Sequence, residues 1–192
     1  MLLPSRDPRM TIKRILKVNH AGEVGAIRIY AAQIAVARRL FPRIVPELEE
    51  MRIDEIDHER IFRDAMPSRQ ARPCWIMSLW RMGGYLLGFV TALMGERMVW
   101  ICTEAVEATV HRHLEEQLHF LKERDAGLHG LILSIQDQEM AHLAEARQHQ
   151  GDDPSVLRSI GNGVIGFATE CLIWLSTWGD SSWMSREMRA VR

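Results

Sequence analysis

Two Glu-x-x-His pairs, Glu55 with His58 and Glu139 with His142, recur 84 residues apart, and a lone glutamate, Glu23 or Glu107, stands 32 residues before each pair. In a helix, residues three or four apart share a face. Each of the six lies on an apolar stripe with that period. Glu23 falls between Leu16 and Ile27, the first pair between Met51 and Phe62, Glu107 between Trp100 and Leu114, and the second pair between Ile135 and Ala146. A single Glu-x-x-His is ordinarily a solvated ion pair on a helix surface. Two of them, both within apolar stripes and equally spaced from a glutamate partner, point instead to one buried site.

The spacing sets the height of that site. The midpoint of Glu23 and Glu55 is residue 39, beside the Leu40-Phe41-Pro42 break, and that of Glu107 and Glu139 is residue 123, beside Arg124-Asp125-Ala126-Gly127. Antiparallel helices leaving such a turn rise equally per residue, so positions ~16 residues to either side reach the same level. All four carboxylates and both imidazoles are therefore expected to converge. A glutamate from each of two helices and Glu-x-x-His from each of the other two is the ligand plan of ferritin-like di-metal bundles.

Four ionised carboxylates buried together repel one another and each loses several kcal/mol of solvation, which two divalent cations would offset. Oxygen donors with one imidazole per metal and no thiolate suit iron or manganese, and iron is the expectation. The metal-ligand set is thus Glu23, Glu55, His58, Glu107, Glu139 and His142. Asn19 and His20, a turn before Glu23, are candidates to hydrogen-bond the ligands rather than to bind metal. Gly22 and Gly25 flank Glu23 at a helix cost of ~1 kcal/mol each. They either leave space for oxygen or a flat substrate, or let another helix approach closely. The pair Glu116 and His119 tests the argument: nine residues beyond Glu107 is ~900° of helical rotation, so it is expected to face solvent.

The rest of the chain bounds this reading. Helical periodicity runs throughout and sustained strand alternation is absent, so the fold class is all-α: a ferritin-like four-helix bundle with two additional amphipathic, membrane-associating helices. Helices are expected over about 11–40, 42–66, 74–95, 96–124, 126–150 and 155–178, with Ser155 or an aspartate of the preceding Gly-Asp-Asp-Pro run as a cap. A short arm at 1–10 and a frayed, unassigned tail at 179–192 leave a single domain over 11–178. Lysine plus arginine (24) balance aspartate plus glutamate (25), so nothing calls for a nucleic-acid partner. The three cysteines, in no paired spacing, fit a reducing compartment.

At the ligand positions the chain resembles the demethoxyubiquinone hydroxylase family of di-iron monooxygenases, through NHAGEVGAIRIYAAQ, DEIDH, EAVEATVHRHLEEQL and DQEMAHLAEA. The resemblance spans about residues 11–175. It implies that the six ligands hold two irons, and that dioxygen and two electrons hydroxylate a ring carbon of a polyprenylated demethoxyquinol. It also implies NADH or a separate reductase as electron source, a lipid-tailed quinone substrate, a membrane surface, and a homo-oligomer or biosynthetic complex as partners. The chain departs from the family where Arg112 replaces the first of two paired histidines and Leu114 replaces the tyrosine that follows them. His113 matches the second histidine and is a further candidate to support the site.

A lipid-tailed substrate needs a route from the bilayer. Trp75, Trp80, Trp100, Trp174, Trp178 and Trp183 cluster in and beside the third and sixth helices, whose apolar faces are expected to lie along a membrane interface without spanning it. The N-terminus MLLPSRDPRM lacks an apolar core of signal-peptide length, so the expected place is peripheral, on the cytoplasmic side of a membrane. The Gly161–Gly166 run fits G-x-G-x-x-G but follows no strand, so no nucleotide site is expected there. Competing readings are a ferritin-like oxidase, peroxidase or iron-handling protein with another substrate, and a membrane-binding protein whose metal only stabilises the fold.

Overall fold

In the computed structural model, which describes residues 7–151 and 154–191, the chain forms seven α-helices and no strand among the described residues. They are α1 (Pro8–Leu40), α2 (Val45–Ala65), α3 (Met77–Leu93), α4 (Glu96–Leu121), α5 (Ala126–Gln150), α6 (Val156–Thr177) and α7 (Asp180–Val191). Short 3-10 turns at Pro42–Ile44 and Pro67–Arg69 precede α2 and follow it. The caps follow from side chains that can accept backbone hydrogens. Asp7 accepts from Arg9 N, Asp125 from Leu128 N and Ser155 from Arg158 N. Asp152 and Asp153, the alternative caps, lie outside the described residues, as do residues 1–6 of the expected arm; its residues Pro8–Met10 begin α1.

α1 pairs with α2 and α4 with α5 as two helical hairpins. Their apolar stripes meet in two clusters. One joins Ile15, Leu16, Phe62, Leu114, Phe120, Leu128 and Ile132; the other joins Tyr30, Ile34, Leu48, Met51, Val99, Trp100 and Ala146. On every one of the four helices the expected ligands lie between the residues of these two clusters. The acidic layer is therefore sandwiched at mid-height between two apolar plugs, which keep water from it along the helix axes.

α3 crosses α1 at very short range because its glycines carry no side chain. A Cβ on Gly84 would meet the Gly25 carbonyl oxygen at 2.5 Å, and one on Gly88 would meet that of Ile29 at 2.3 Å. α6 approaches α4 in the same way, a Cβ on Gly161 falling 2.6 Å from Ile101 Cγ2. Gly161, the first glycine of the 161–166 run, thus makes a packing contact within an α-helix.

The tail differs from expectation. Instead of fraying, α7 packs on α4 and α6 with Met184 buried and Trp183 edge-on to Phe120 at 5.5 Å. The fully buried Asp180 accepts from Thr11 Oγ1 at 3.0 Å and Arg14 Nη1 at 2.9 Å, tying the start of α7 to the start of α1. A second correction follows. α6 and α7 pack on the far side of α4, and Glu116 is buried there, 3.1 Å from His113 Nδ1, rather than solvated. Its phase relative to Glu107 is as reasoned; the face opposite the acidic layer is simply not a surface.

Candidate metal centre

The six expected ligands are all buried and come together as two overlapping groups. One comprises Glu23, Glu55, His58 and Glu139; the other comprises Glu55, Glu107, Glu139 and His142. Within each group one donor atom per residue lies within 4.8 Å of the rest. Glu55 and Glu139 belong to both. Each group could hold a cation, with one further glutamate and one imidazole beside the two shared carboxylates.

Electrostatics and orphaned atoms agree with such an occupancy. Burial, reinforced by Glu55 and Glu139, pushes Glu23 well above the usual carboxylate range; burial with Glu139 and Glu55 does the same to Glu107. Burial would also raise Glu55, but the close imidazoles of His142 and His58 outweigh it and hold that carboxyl below its ordinary range. Burial would lower both histidines, yet Glu139 and Glu55 raise His58 to about 10, and Glu55 raises His142 to about 9. Raised carboxyls and raised imidazoles alike lessen the negative charge of the acidic layer, the same work cations there would do. Meanwhile Glu55 Oε1 and Oε2, His58 Nδ1, Glu139 Oε1 and His142 Nδ1 are buried without a hydrogen bond. Their closest approaches, 3.1 Å from His58 Nδ1 to Glu139 Oε1 and 3.4 Å from His142 Nδ1 to Glu55 Oε1, are ionic. An oxygen-rich donor set with two inward imidazole nitrogens and no thiolate fits iron or manganese.

The other ring nitrogen of each histidine faces outward. His58 Nε2 is 3.0 Å from Gln138 Oε1, His142 Nε2 is 3.1 Å from Asp54 Oδ2, and Gln138 Nε2 donates to Asp54 Oδ1 at 3.1 Å. Sequence reasoning missed Asp54 and Gln138, although each immediately precedes a ligand glutamate and the two share the 84-residue offset. Tyr30, two turns beyond Glu23 on α1, donates its hydroxyl hydrogen to Glu107 Oε1 at 2.9 Å.

The residues expected to support the ligands have other partners. Asn19 exchanges amide hydrogen bonds with Gln117 at 2.7 and 2.9 Å, His20 Nε2 lies 2.9 Å from Glu59 Oε1, and His113 bridges Glu116 and Glu170. Asn19 and His113 instead line a cavity of about 210 Å3 bounded by α1, α3, α4 and α6, whose floor includes Glu23, Glu55, Glu107 and Glu139. Its walls are apolar, with Val18, Ile29, Leu87, Val106, Leu114 and Ile173 among them. The two glycines beside Glu23 divide the roles left open by sequence. A Cβ on Gly22 would meet nothing within 4 Å, whereas one on Gly25 would press on Trp80 at 3.0 Å. Gly22 opens the cavity, and Gly25 admits α3.

Beside the cavity, α3 and α6 present apolar side chains to the outside. Met82, Leu86 and Phe89 on α3, and Val164, Phe167 and Trp174 on α6, are exposed, Phe167 by 73%. Trp75 and Trp178 stack at 6.1 Å at one end of this surface. Of the other tryptophans grouped with it by sequence, Trp80 and Trp100 are buried and Trp183 packs on Phe120. The helix α6 is long and apolar enough to cross a membrane by length and composition, with a mean hydropathy of 1.2. It nevertheless engages α4 along its length through Arg158 with Glu104 and Glu170 with His113.

Fold and site together define an all-α protein with a buried carboxylate and imidazole cluster suited to a metal centre, opening on an apolar cavity. The chain belongs to the family of the ubiquinone biosynthesis protein COQ7, whose model matches residues 10–176. It is 38% identical to the human NADPH-dependent 3-demethoxyubiquinone 3-hydroxylase, mitochondrial, over 75% of this chain and 67% of the human one. It is 32% identical to the Rhodospirillum rubrum 3-demethoxyubiquinol 3-hydroxylase over 88% of this chain and 79% of that one. The Dictyostelium discoideum enzyme, named as the human one is, is also 32% identical, over 88% of this chain and 78% of its own.

Proposed function

We propose that this chain is a ferritin-like di-iron monooxygenase that hydroxylates a ring carbon of a polyprenylated demethoxyquinol with dioxygen, working at a membrane surface. The observation that carries the reading is the doubled ligand group sharing Glu55 and Glu139 at the floor of an apolar cavity. The names of the relatives supply the substrate class.

In this reading Glu23 and His58 would hold one iron and Glu107 and His142 the other, with Glu55 and Glu139 available to both. Two irons so held would supply dioxygen activation, the reaction consuming two electrons and two protons to place one oxygen on the ring and release the other as water. The protein's own part is positional. Gly22 leaves room for a flat ring beside Glu23, while Val106, Leu114 and Ile173 exclude water and seat the ring by its apolar edge. Tyr30 orients Glu107, and Asn19 with Gln117 offers paired amides on the cavity wall to a quinol oxygen. The electrons would come from NADPH, following the wording of several relatives' names, or from NADH or a reductase.

The exposed apolar faces of α3 and α6 flank the cavity and would rest on the membrane, their side chains at the acyl boundary and Trp75, Trp174 and Trp178 at headgroup level. The prenyl tail would then leave the cavity between these helices without crossing water. Anaerobic titration with ferrous iron tests the site itself. Two equivalents are expected to bind, Glu23→Ala is expected to weaken one of them, and Glu55→Ala both. Retention of two equivalents at unchanged affinity in Glu55→Ala would remove the assignment of Glu55 to both.

A further inference from the structure

We propose that Asp54, which touches neither cation position, is the positioning residue that sets the tautomer of both ligand histidines; the inference rests on the two-metal reading above. The hydrogen-bonded chain runs His58, Gln138, Asp54, His142 around the outside of the site, alternating between α2 and α5. Its direction is decided at one member. A carboxylate only accepts, so both groups facing Asp54, His142 Nε2 at 3.1 Å and Gln138 Nε2 at 3.1 Å, must donate. Donation by its nitrogen turns the Gln138 amide so that Oε1 faces His58, 3.0 Å away. That oxygen also only accepts, so His58 Nε2 must carry the hydrogen.

An imidazole that binds a cation is neutral and has one N–H, and in both rings that hydrogen is thereby held at Nε2. Both Nδ1 lone pairs are left pointing inward, where those atoms are buried without a hydrogen bond. The two histidines need the same tautomer, yet their outer partners differ, one an amide and one a carboxylate. A single acidic residue suffices because the amide transmits its polarity to the second ring.

The inference separates from a packing role through isosteric exchange. In Asp54→Asn the amide has one acceptor for two donors, so either His142 or Gln138 faces an N–H; ferrous affinity is expected to fall ~10–100-fold. In the exchanged variant, Asp54→Asn with Gln138→Glu, the new glutamate accepts from both His58 and the asparagine amide, and the asparagine oxygen accepts from His142. The direction of the chain is restored. Anaerobic calorimetric titration of the full-length protein with ferrous iron is expected to show two ions bound by the exchanged variant within about threefold of the wild-type affinity.

Asp54 and Gln138 are accessible to solvent, and both substitutions keep side-chain size, so the variants are expected to keep the wild-type helical circular dichroism. An exchanged variant no tighter than Asp54→Asn, or an Asp54→Asn protein with undiminished affinity, would overturn the inference while leaving the metal reading intact. A wild-type protein that takes up no ferrous iron would overturn both.

Discussion

Adding one methyl group at two glycines of this fold is expected to have opposite effects, because one faces a cavity and the other a backbone. In Gly88→Ala the new Cβ would lie 2.3 Å from the Ile29 carbonyl oxygen and 2.8 Å from its Cα. Those atoms belong to the middle of α1 and cannot rotate aside, so α1 and α3 must separate. Overpacking of this kind costs about 3 kcal/mol at its upper end, offset by ~1 kcal/mol of helix propensity gained over glycine. A net loss of ~2 kcal/mol lowers the melting temperature of a chain of this size by roughly 4–8 °C. In Gly22→Ala the Cβ meets nothing within 4 Å, so the propensity gain stands alone and the melting temperature is expected to rise by roughly 2–4 °C. The same methyl enters the cavity beside Glu23 and is expected to raise KM for the quinol. Thermal unfolding followed by circular dichroism reads the first quantity and steady-state kinetics the second. A Gly22→Ala protein destabilised as much as Gly88→Ala would refute the cavity assignment and with it the proposed seat of the ring.

Two further outcomes follow from charge and exposure. Burial would raise Glu104, but Arg158, Asn162 and Gln150 outweigh it and hold the carboxyl at about 2 against an ordinary 4.5. That depressed value contributes stability in full above about pH 4.5, lost as pH falls towards 2, up to ~3 kcal/mol. Urea unfolding of wild type and Glu104→Gln at stepped pH is expected to show the gap between them closing over that window; a constant gap would contradict the linkage. Phe167→Ser with Leu86→Ser removes two exposed apolar side chains from the α3 and α6 surface, each worth ~1.5–3 kcal/mol on burial, so flotation with phosphatidylcholine liposomes is expected to weaken at least ~tenfold. The melting temperature should hold, since neither is in the core, and undiminished flotation would rule out this face as the membrane contact.

The candidate site was legible in the chain because its residues obey two periods at once, the helical step within each stripe and the repeat between hairpins. Glu23, Glu55, Glu107 and Glu139 had to be inside, and the helix breaks put them at one height. The six main helices were also readable, each bounded by proline, glycine or an aspartate or serine cap. What periodicity could not show was which faces of a helix are covered. α4 has an apolar stripe towards the acidic layer, yet α6 and α7 bury its far side too, so Glu116 sits inside with His113 rather than in water. α7 itself was hidden because its anchor is polar: Asp180 reaches Thr11 and Arg14, some 170 residues away in sequence, and no local pattern signals such a pairing. Asp54 and Gln138 lie off the stripes, at the solvent-facing rim, and only their common offset from the ligands betrays them.

The account turns on oxygen transfer to a quinol ring by the paired site. Iron-loaded protein, supplied with a demethoxyquinol, a reductant and isotopically labelled dioxygen, is to be followed by mass spectrometry of the extracted lipid beside Glu55→Ala. One labelled oxygen on the ring, absent in the variant, is the expected result. Two bound irons and consumption of dioxygen with no oxygen gained by the quinol would contradict the hydroxylase assignment, leaving an oxidase of the same fold.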